Sequence, residues 1–254
     1  MTLFNLLTTQ AYQTGYADSA ISSFTTSEAF ILTIIIAVVG FFVQSRLQSV
    51  FRTYSQVMFP GGMTGAEVAE KMLRDHNIHN VKITHVRGHL TDHFDPRTMT
   101  VNLSDSVYSS RSIAAAAVAC HECGHAIQHA QGYAPLELRS KLVPLVSFSS
   151  SIATWVIIGG LMLMASTNNE TLCWIGIGLI ATSALFSIVT LPVEYNASER
   201  ALAWLESSRT LRGEELEGAR ISLRWAARTY LVAALSAIAT VLYYITLITG
   251  RRND

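Results

Sequence analysis

The sequence predicts a mainly α-helical membrane protein, in which about four transmembrane helices carry a polar domain with a small β-sheet. Two observations predict it. Half of the residues are hydrophobic and only 14% are charged, against about 25% charged in ordinary globular chains, so much of the surface must face something other than water. In addition, the stretches Leu142 to Ala165, Thr171 to Leu191 and Tyr230 to Thr249 contain no Asp, Glu, Lys or Arg. Each runs about twenty residues, enough to cross a bilayer as a helix.

A further apolar stretch, Phe30 to Val43, is entered from about Phe24 and is marginal in length for a span; a re-entrant or interfacial helix is the alternative. No Lys or Arg precedes it, so the N-terminus does not resemble a cleaved signal peptide and the stretch reads as a retained anchor. Thr64-Gly65-Ala66-Glu67 has capping-box spacing, and Val68, Met72 and Leu73 give residues 64–75 the apolar face of a short helix. Val81 to Val86 and Thr98 to Leu103 alternate as short strands, with Asp95-Pro96-Arg97 turning between them. Met99 to Leu103 is a candidate edge for an extended peptide, and an interior structural strand is the equal alternative. Ser112 is suited to cap a helix built on the run Ile113 to Ala119. The second and third apolar stretches are joined only by Ser166-Thr167-Asn168-Asn169-Glu170, which forces an antiparallel helical hairpin. Pro192 suits the first turn of a new helix that ends near Glu206. The chain thus divides into a tail and first helix (1–43), a polar domain (44–141), a hairpin (142–191), a second polar segment (192–229) and a last helix with its tail (230–254).

The chemistry is concentrated in His121-Glu122-Cys123-Gly124-His125. Residues four apart on a helix project from nearly one side, so His121 and His125 can bind one ion through their ring nitrogens. Glu122 lies about a hundred degrees around the helix, where it can act on a water at the metal without ligating the metal itself. This is the core of a catalytic zinc site, which usually needs a third protein ligand. His129 continues the spacing but lies about 12 Å along a regular helix from His121. A glycine-turned third histidine is excluded because Gln128 occupies the glycine position. His85, His89 and His93 fall in a segment broken by Gly88 and Asp95-Pro96 and read as loop or turn histidines, with lining the cleft as the lesser alternative. Glu194 is better placed, since the hairpin returns the chain to the side it left and brings Glu194 to the membrane face where the zinc helix ends. Its alternative role is that of an acid stabilising a helix N-terminus. Cys120 and Cys123 form a CxxC, but both lie inside the helix and read as small packing residues rather than a redox pair or thiolate site.

His121-Glu122-Cys123-Gly124-His125, followed after the hairpin by Leu191-Pro192-Val193-Glu194-Tyr195-Asn196-Ala197-Ser198, resembles the YugP-like family of bacterial membrane zinc metallopeptidases. Gly62-Met63-Thr64-Gly65-Ala66, Leu90-Thr91-Asp92-His93-Phe94-Asp95-Pro96 and Ala126-Ile127-Gln128 are similar as well, so the likeness covers roughly residues 50–205. The resemblance implies a zincin-like, gluzincin-type catalytic domain, a peptide or protein substrate, Zn2+ held by His121, His125 and Glu194, and Glu122 as catalytic base. Membrane peptidases of the broader gluzincin type carry an Asp four residues after the third ligand, where it orients the first histidine. Here that position is Ser198, whose hydroxyl can hold an imidazole but brings no charge.

Orientation follows from the basic residues, which tend to stay on the cytoplasmic side. Ten lie between Arg46 and Lys141 and six between Arg200 and Arg228, while residues 1–45 and the hairpin loop have none. Both termini are therefore expected outside and residues 44–141 and 192–229 in the cytoplasm of a bacterial cell, against which only Arg251 and Arg252 argue. The run before His121 is only about eight residues long, too short to span, so the site is expected near the membrane surface. A net charge of zero gives no indication of a nucleic-acid partner. The expected function is a membrane-anchored zinc endopeptidase acting on cytosolic or membrane-proximal segments. A noncatalytic adaptor with a structural zinc, closed by a fourth ligand such as His129 or a cysteine, is the alternative. A transporter is disfavoured, because the spans offer only Ser, Thr and Tyr as polar pathway groups. The sequence identifies no oxyanion-stabilising residue; Tyr195 and the histidines from 85 to 93 are candidates that no pattern supports.

Overall fold

A computed structural model describes residues 25–88 and 90–250. The N-terminal tail before residue 25, His89, Arg251 and Arg252 lie outside the described residues. The elements are α1 (Thr26–Ser55), α2 (Gly65–Asp75), β1 (Lys82–Val86), β2 (His93–Asp95), β3 (Thr100–Ser104), α3 (Asp105–Tyr108), α4 (Ile113–Ala130), α5 (Ala134–Thr167), α6 (Thr171–Ser207) and α7 (Gly213–Gly250). By length and composition α1, α5, α6 and α7 can each cross a membrane. Large apolar side chains face outward along them, including Phe41, Phe42, Trp155 and Met162, each more than 60% exposed. Such surface is costly in water and favourable against lipid. The chain is a multi-pass membrane protein whose helices continue well beyond the apolar stretches that announce them.

Two corrections follow. Pro192 does not open a new helix: α6 runs unbroken from Thr171 to Ser207 with the proline inside it. Proline is tolerated within membrane helices when neighbours stabilise the turn it weakens. His85 and His93, read as loop histidines, lie on β1 and β2.

The chain clusters into two compact units. One comprises residues 1–38, 144–185 and 235–254. Within its described part, Ile157, Met164, Cys173, Ile177 and Ile248 form a small buried core. Gly160 allows α5 and α6 to approach closely, since a Cβ there would lie 2.8 Å from the Cys173 backbone nitrogen; small residues at such crossings are how membrane helices gain packing contacts.

The other unit comprises residues 39–143 and 186–234 and holds the larger core. Its helix α2 begins with the expected capping box: Thr64 Oγ1 accepts from the Glu67 amide, and Glu67 accepts from the Thr64 amide. Val68, Ala69, Met72 and Leu73 pack inward from it. The sheet has the order β1-β3-β2, with β1 parallel and β2 antiparallel to β3. Val101 and Leu103 on the middle strand are fully buried, and burying each such side chain contributes about 1.5–3 kcal/mol. Because β3 is paired on both sides, Met99 to Leu103 is the interior strand and β2 is an outer one. Met58 bridges to Ser112, and Ser112 caps α4 by accepting from the Ala115 amide. Helix α4 is buried on every side from Ile113 to Cys120, which its alanines permit because small side chains let neighbouring backbones close in.

Candidate metal centre

Helix α4 presents His121 and His125 one turn apart, with ring centroids 4.8 Å apart. Their Nε2 atoms both face Oε2 of Glu194 on α6, at 3.2 Å from His121 and 3.6 Å from His125. One ligand atom from each of the three lies within 4.8 Å of the others, and this is the one His/Cys/Asp/Glu group of metal-binding geometry among the described residues. The two carboxylate–imidazole spacings suit a zinc ion: bonds of about 2.0–2.1 Å in tetrahedral array place neighbouring donors about 3.3 Å apart. Glu194 is only 1% exposed, and a buried carboxylate needs cationic or hydrogen-bonding partners, which an ion and two imidazoles supply.

The opposite edge of each imidazole is held as well. Ser198 Oγ lies 3.1 Å from His121 Nδ1, the contact anticipated for the hydroxyl at that position. Gln128 Oε1 lies 3.0 Å from His125 Nδ1. Close approach of α4 to α6 makes these contacts possible, since a Cβ on Gly124 would lie 2.6 Å from the Ala197 carbonyl oxygen. Arg139 on α5 places Nη2 3.7 Å from Glu194 Oε1, the oxygen turned away from the histidines.

Glu122 is buried and lines a cavity of about 120 Å3 together with His121, His125, Glu194, Arg139 and Tyr230. Burial pushes its carboxyl above the usual range, against the opposing pull of His121 and His125. Burial disfavours protonation of His121, but the hydrogen bond to Glu194 and the charges of Glu122 and Glu194 outweigh it and raise its pKa. The group is therefore organised around a positive charge at the imidazole edges.

His129 is not brought to the centre; its ring packs against Phe94. Cys120 and Cys123 are fully buried, Cys123 Sγ donates to the Ala69 carbonyl, and burial raises both thiols away from the reactive range. His85 pairs with Asp105 at 2.6 Å instead of facing the centre, whereas His93 lines the cavity with its β2 neighbours. Tyr195 is 42% exposed and is not among the described residues around the cavity; Tyr230 is. Sequence reasoning missed Tyr230, Arg139 and the role of Gln128. A signal existed for Gln128, an amide three residues past His125 and seven past His121, on the helix face of both histidines.

No solved structure matches the chain significantly. The chain is 40% identical over 223 residues to the "Putative membrane protease YugP" of Bacillus subtilis (strain 168), an alignment covering 88% of this chain and 97% of that protein. The family described as "Putative neutral zinc metallopeptidase" matches residues 29–249, a range that takes in both histidines, Glu194 and all four long helices. With its two imidazoles and one carboxylate spaced for a zinc ion, the chain belongs to that zinc metallopeptidase family.

Proposed function

We propose that this protein is a membrane-anchored zinc metalloendopeptidase that cuts cytosolic or membrane-proximal segments of peptides and proteins near the inner face of a bacterial cell membrane. His121, His125 and Glu194 hold the metal and Glu122 is the general base. The observation that supports this most directly is the convergence of both Nε2 atoms on Glu194 Oε2 beside a second carboxylate, that of Glu122, which opens onto the same cavity. Three donors, with no fourth in the group among the described residues, is the donor count of catalytic rather than structural zinc.

A zinc ion held there supplies Lewis acidity toward the scissile carbonyl and toward a water. Glu122 would take the proton of that water and return it to the leaving amine as the peptide C–N bond breaks. Gln128 and Ser198 hold the imidazoles edge-on, so that Nε2 rather than Nδ1 faces the ion. Arg139 and Tyr230 line the cavity as donors to the substrate carbonyl oxygen. An extended substrate pairs with β2, the outer strand that borders the cavity, instead of with β3. The basic residues favour the cytoplasm for this unit. Replacing Glu122 by Gln keeps shape and hydrogen bonding but removes the base: the variant is expected to retain one zinc per chain while cleavage of a peptide library falls by about 10²–10⁴-fold. Undiminished cleavage would reject the assignment.

A further inference from the structure

We propose that Gln128 is a positioning residue that sets the tautomer of His125 and ties the turn carrying Glu194 to the zinc helix, its own orientation fixed by the Val193 carbonyl and by Asn196, which Arg200 orients. This rests on the reading of His125 and Glu194 as ligands. Gln128 is fully buried. Its Oε1 faces His125 Nδ1 at 3.0 Å, and its Nε2 donates to the Val193 carbonyl at 2.8 Å and to Asn196 Oδ1 at 3.0 Å.

Amide ends look alike in shape, so their identity must come from partners of known sense. Arg200 provides one, because a guanidinium only donates. Its Nε lies 2.7 Å from Asn196, so the Asn196 atom there is the oxygen. That oxygen, together with the Val193 carbonyl, requires the Gln128 atom facing them to be the nitrogen. Gln128 then turns its oxygen to His125, and an oxygen can only accept. His125 therefore carries its hydrogen on Nδ1 and leaves the Nε2 lone pair directed at Glu194 and the metal. Arg200 is itself held by Gln131 Oε1 at 2.7 Å, which closes the relay back onto the end of α4.

The bond to Val193 has a second consequence. Pro192 has no N–H, so the α6 turn preceding Glu194 lacks one of its helical hydrogen bonds. The Gln128 amide grips the very next carbonyl and anchors that weakened turn to α4, the helix bearing the other two ligands. One side chain thus governs the donor direction of His125 and the position of Glu194.

The test uses the full-length chain in detergent. In metal-free, 15N-histidine-labelled protein, His125 Nδ1 should carry a hydrogen whether or not Nε2 carries one toward Glu194 as well, and Gln128→Met, which keeps volume but removes the amide, should abolish that preference. Zinc affinity, measured by competition with a chromogenic chelator, should fall about 10–100-fold in Gln128→Met. Gln128→Glu, which keeps an acceptor toward His125, should restore the tautomer but not the affinity, because it sets oxygen against the Val193 and Asn196 oxygens. Should Gln128→Met fail to fold, Gln128→Leu, equally without an amide, must still lose the His125 preference, whereas Arg200→Met should keep it because the Val193 carbonyl alone still demands the Gln128 nitrogen. The proposal is overturned if the tautomer is unchanged in Gln128→Met or Gln128→Leu, or if Gln128→Met binds zinc within threefold of the parent. A parent protein that binds no zinc would instead sink the ligand reading, and the tautomer measurement distinguishes the two failures.

Discussion

Gly124→Ala is the smallest change that should disable the proposed metal centre without touching a ligand. The added Cβ would meet three backbone atoms of α6: the Ala197 carbonyl oxygen at 2.6 Å, and its carbonyl carbon and Cα at 3.1 Å. Ordinary carbon–oxygen contacts begin near 3.4 Å, so α4 and α6 must separate by about 0.8 Å, a backbone displacement that no rotamer change can absorb. Gly124 sits between the two histidines, and Ala197 lies between Glu194 and Ser198, so the separation acts at the centre itself. Added to the present 3.2 and 3.6 Å between imidazoles and carboxylate, it gives donor spacings of about 4.0 and 4.4 Å, beyond the edge of about 3.3 Å that tetrahedral bonds of about 2.0–2.1 Å set.

The competing effect has the opposite sign. Alanine is a better helix former than glycine by about 1 kcal/mol, so α4 taken alone is stabilised. Overpacking at the crossing costs about 1–3 kcal/mol, and net stability should change little or fall modestly. Zinc affinity is the discriminating readout, and it should drop at least tenfold in chelator competition while circular dichroism retains the parent helix content. Affinity within threefold of the parent would mean that the α4–α6 crossing does not set the ligand spacing, and the reasoning would fail.

Removing the cation beside Glu194 should have a less intuitive result. Arg139→Met takes away a positive charge 3.7 Å from Oε1 that competes with zinc for the same carboxylate, so zinc affinity is expected to rise threefold or more while peptide cleavage falls; lower affinity in a chelator titration would count against it. Away from the centre, the Glu67 carboxyl is held below its ordinary value of 4.5 by hydrogen bonds from the Thr64 amide and hydroxyl. A depressed folded-state pKa means that its stabilisation is complete above the unfolded value and is lost as pH falls through the lower folded value. Glu67→Gln should therefore lower the melting temperature at pH 7 and narrow its gap to the parent below about pH 4; a gap that is the same at both pH values would refute the capping role.

The readable features were those whose determinants lie within a few residues of one another. Thr64 and Glu67 announce their box, Ser112 announces the start of α4, and the spacing of His121 and His125 announces a shared helix face. Strand β2 escaped because three residues, His93 to Asp95, are too few to show alternation; its place is set by pairing with Asn102, Val101 and Thr100. Pro192 misled for the converse reason. The local rule for proline is sound, but it was outweighed by tertiary support of the turn, including the Gln128 contact to Val193.

Hydropathy also marks where a helix stops being apolar, and that is a different boundary from where it stops being a helix. Helices α5, α6 and α7 contain 34, 37 and 38 residues, or about 50 Å or more of length at ~1.5 Å per residue, against a hydrocarbon core of about 30 Å. The surplus is where the chemistry sits. Arg139 precedes the apolar stretch of α5 by three residues, Glu194 follows that of α6 by three, and Tyr230 stands at the first position of that of α7, and all three line one cavity with the zinc helix. A loop at each of those points would leave ligand positions to a flexible segment, whereas a continued helix carries its rigidity into the site. Rigid delivery matters most for the proposed ligand Glu194, separated from His121 by 73 positions, because a misplacement of a few tenths of an ångström there would be enough to lose an ion.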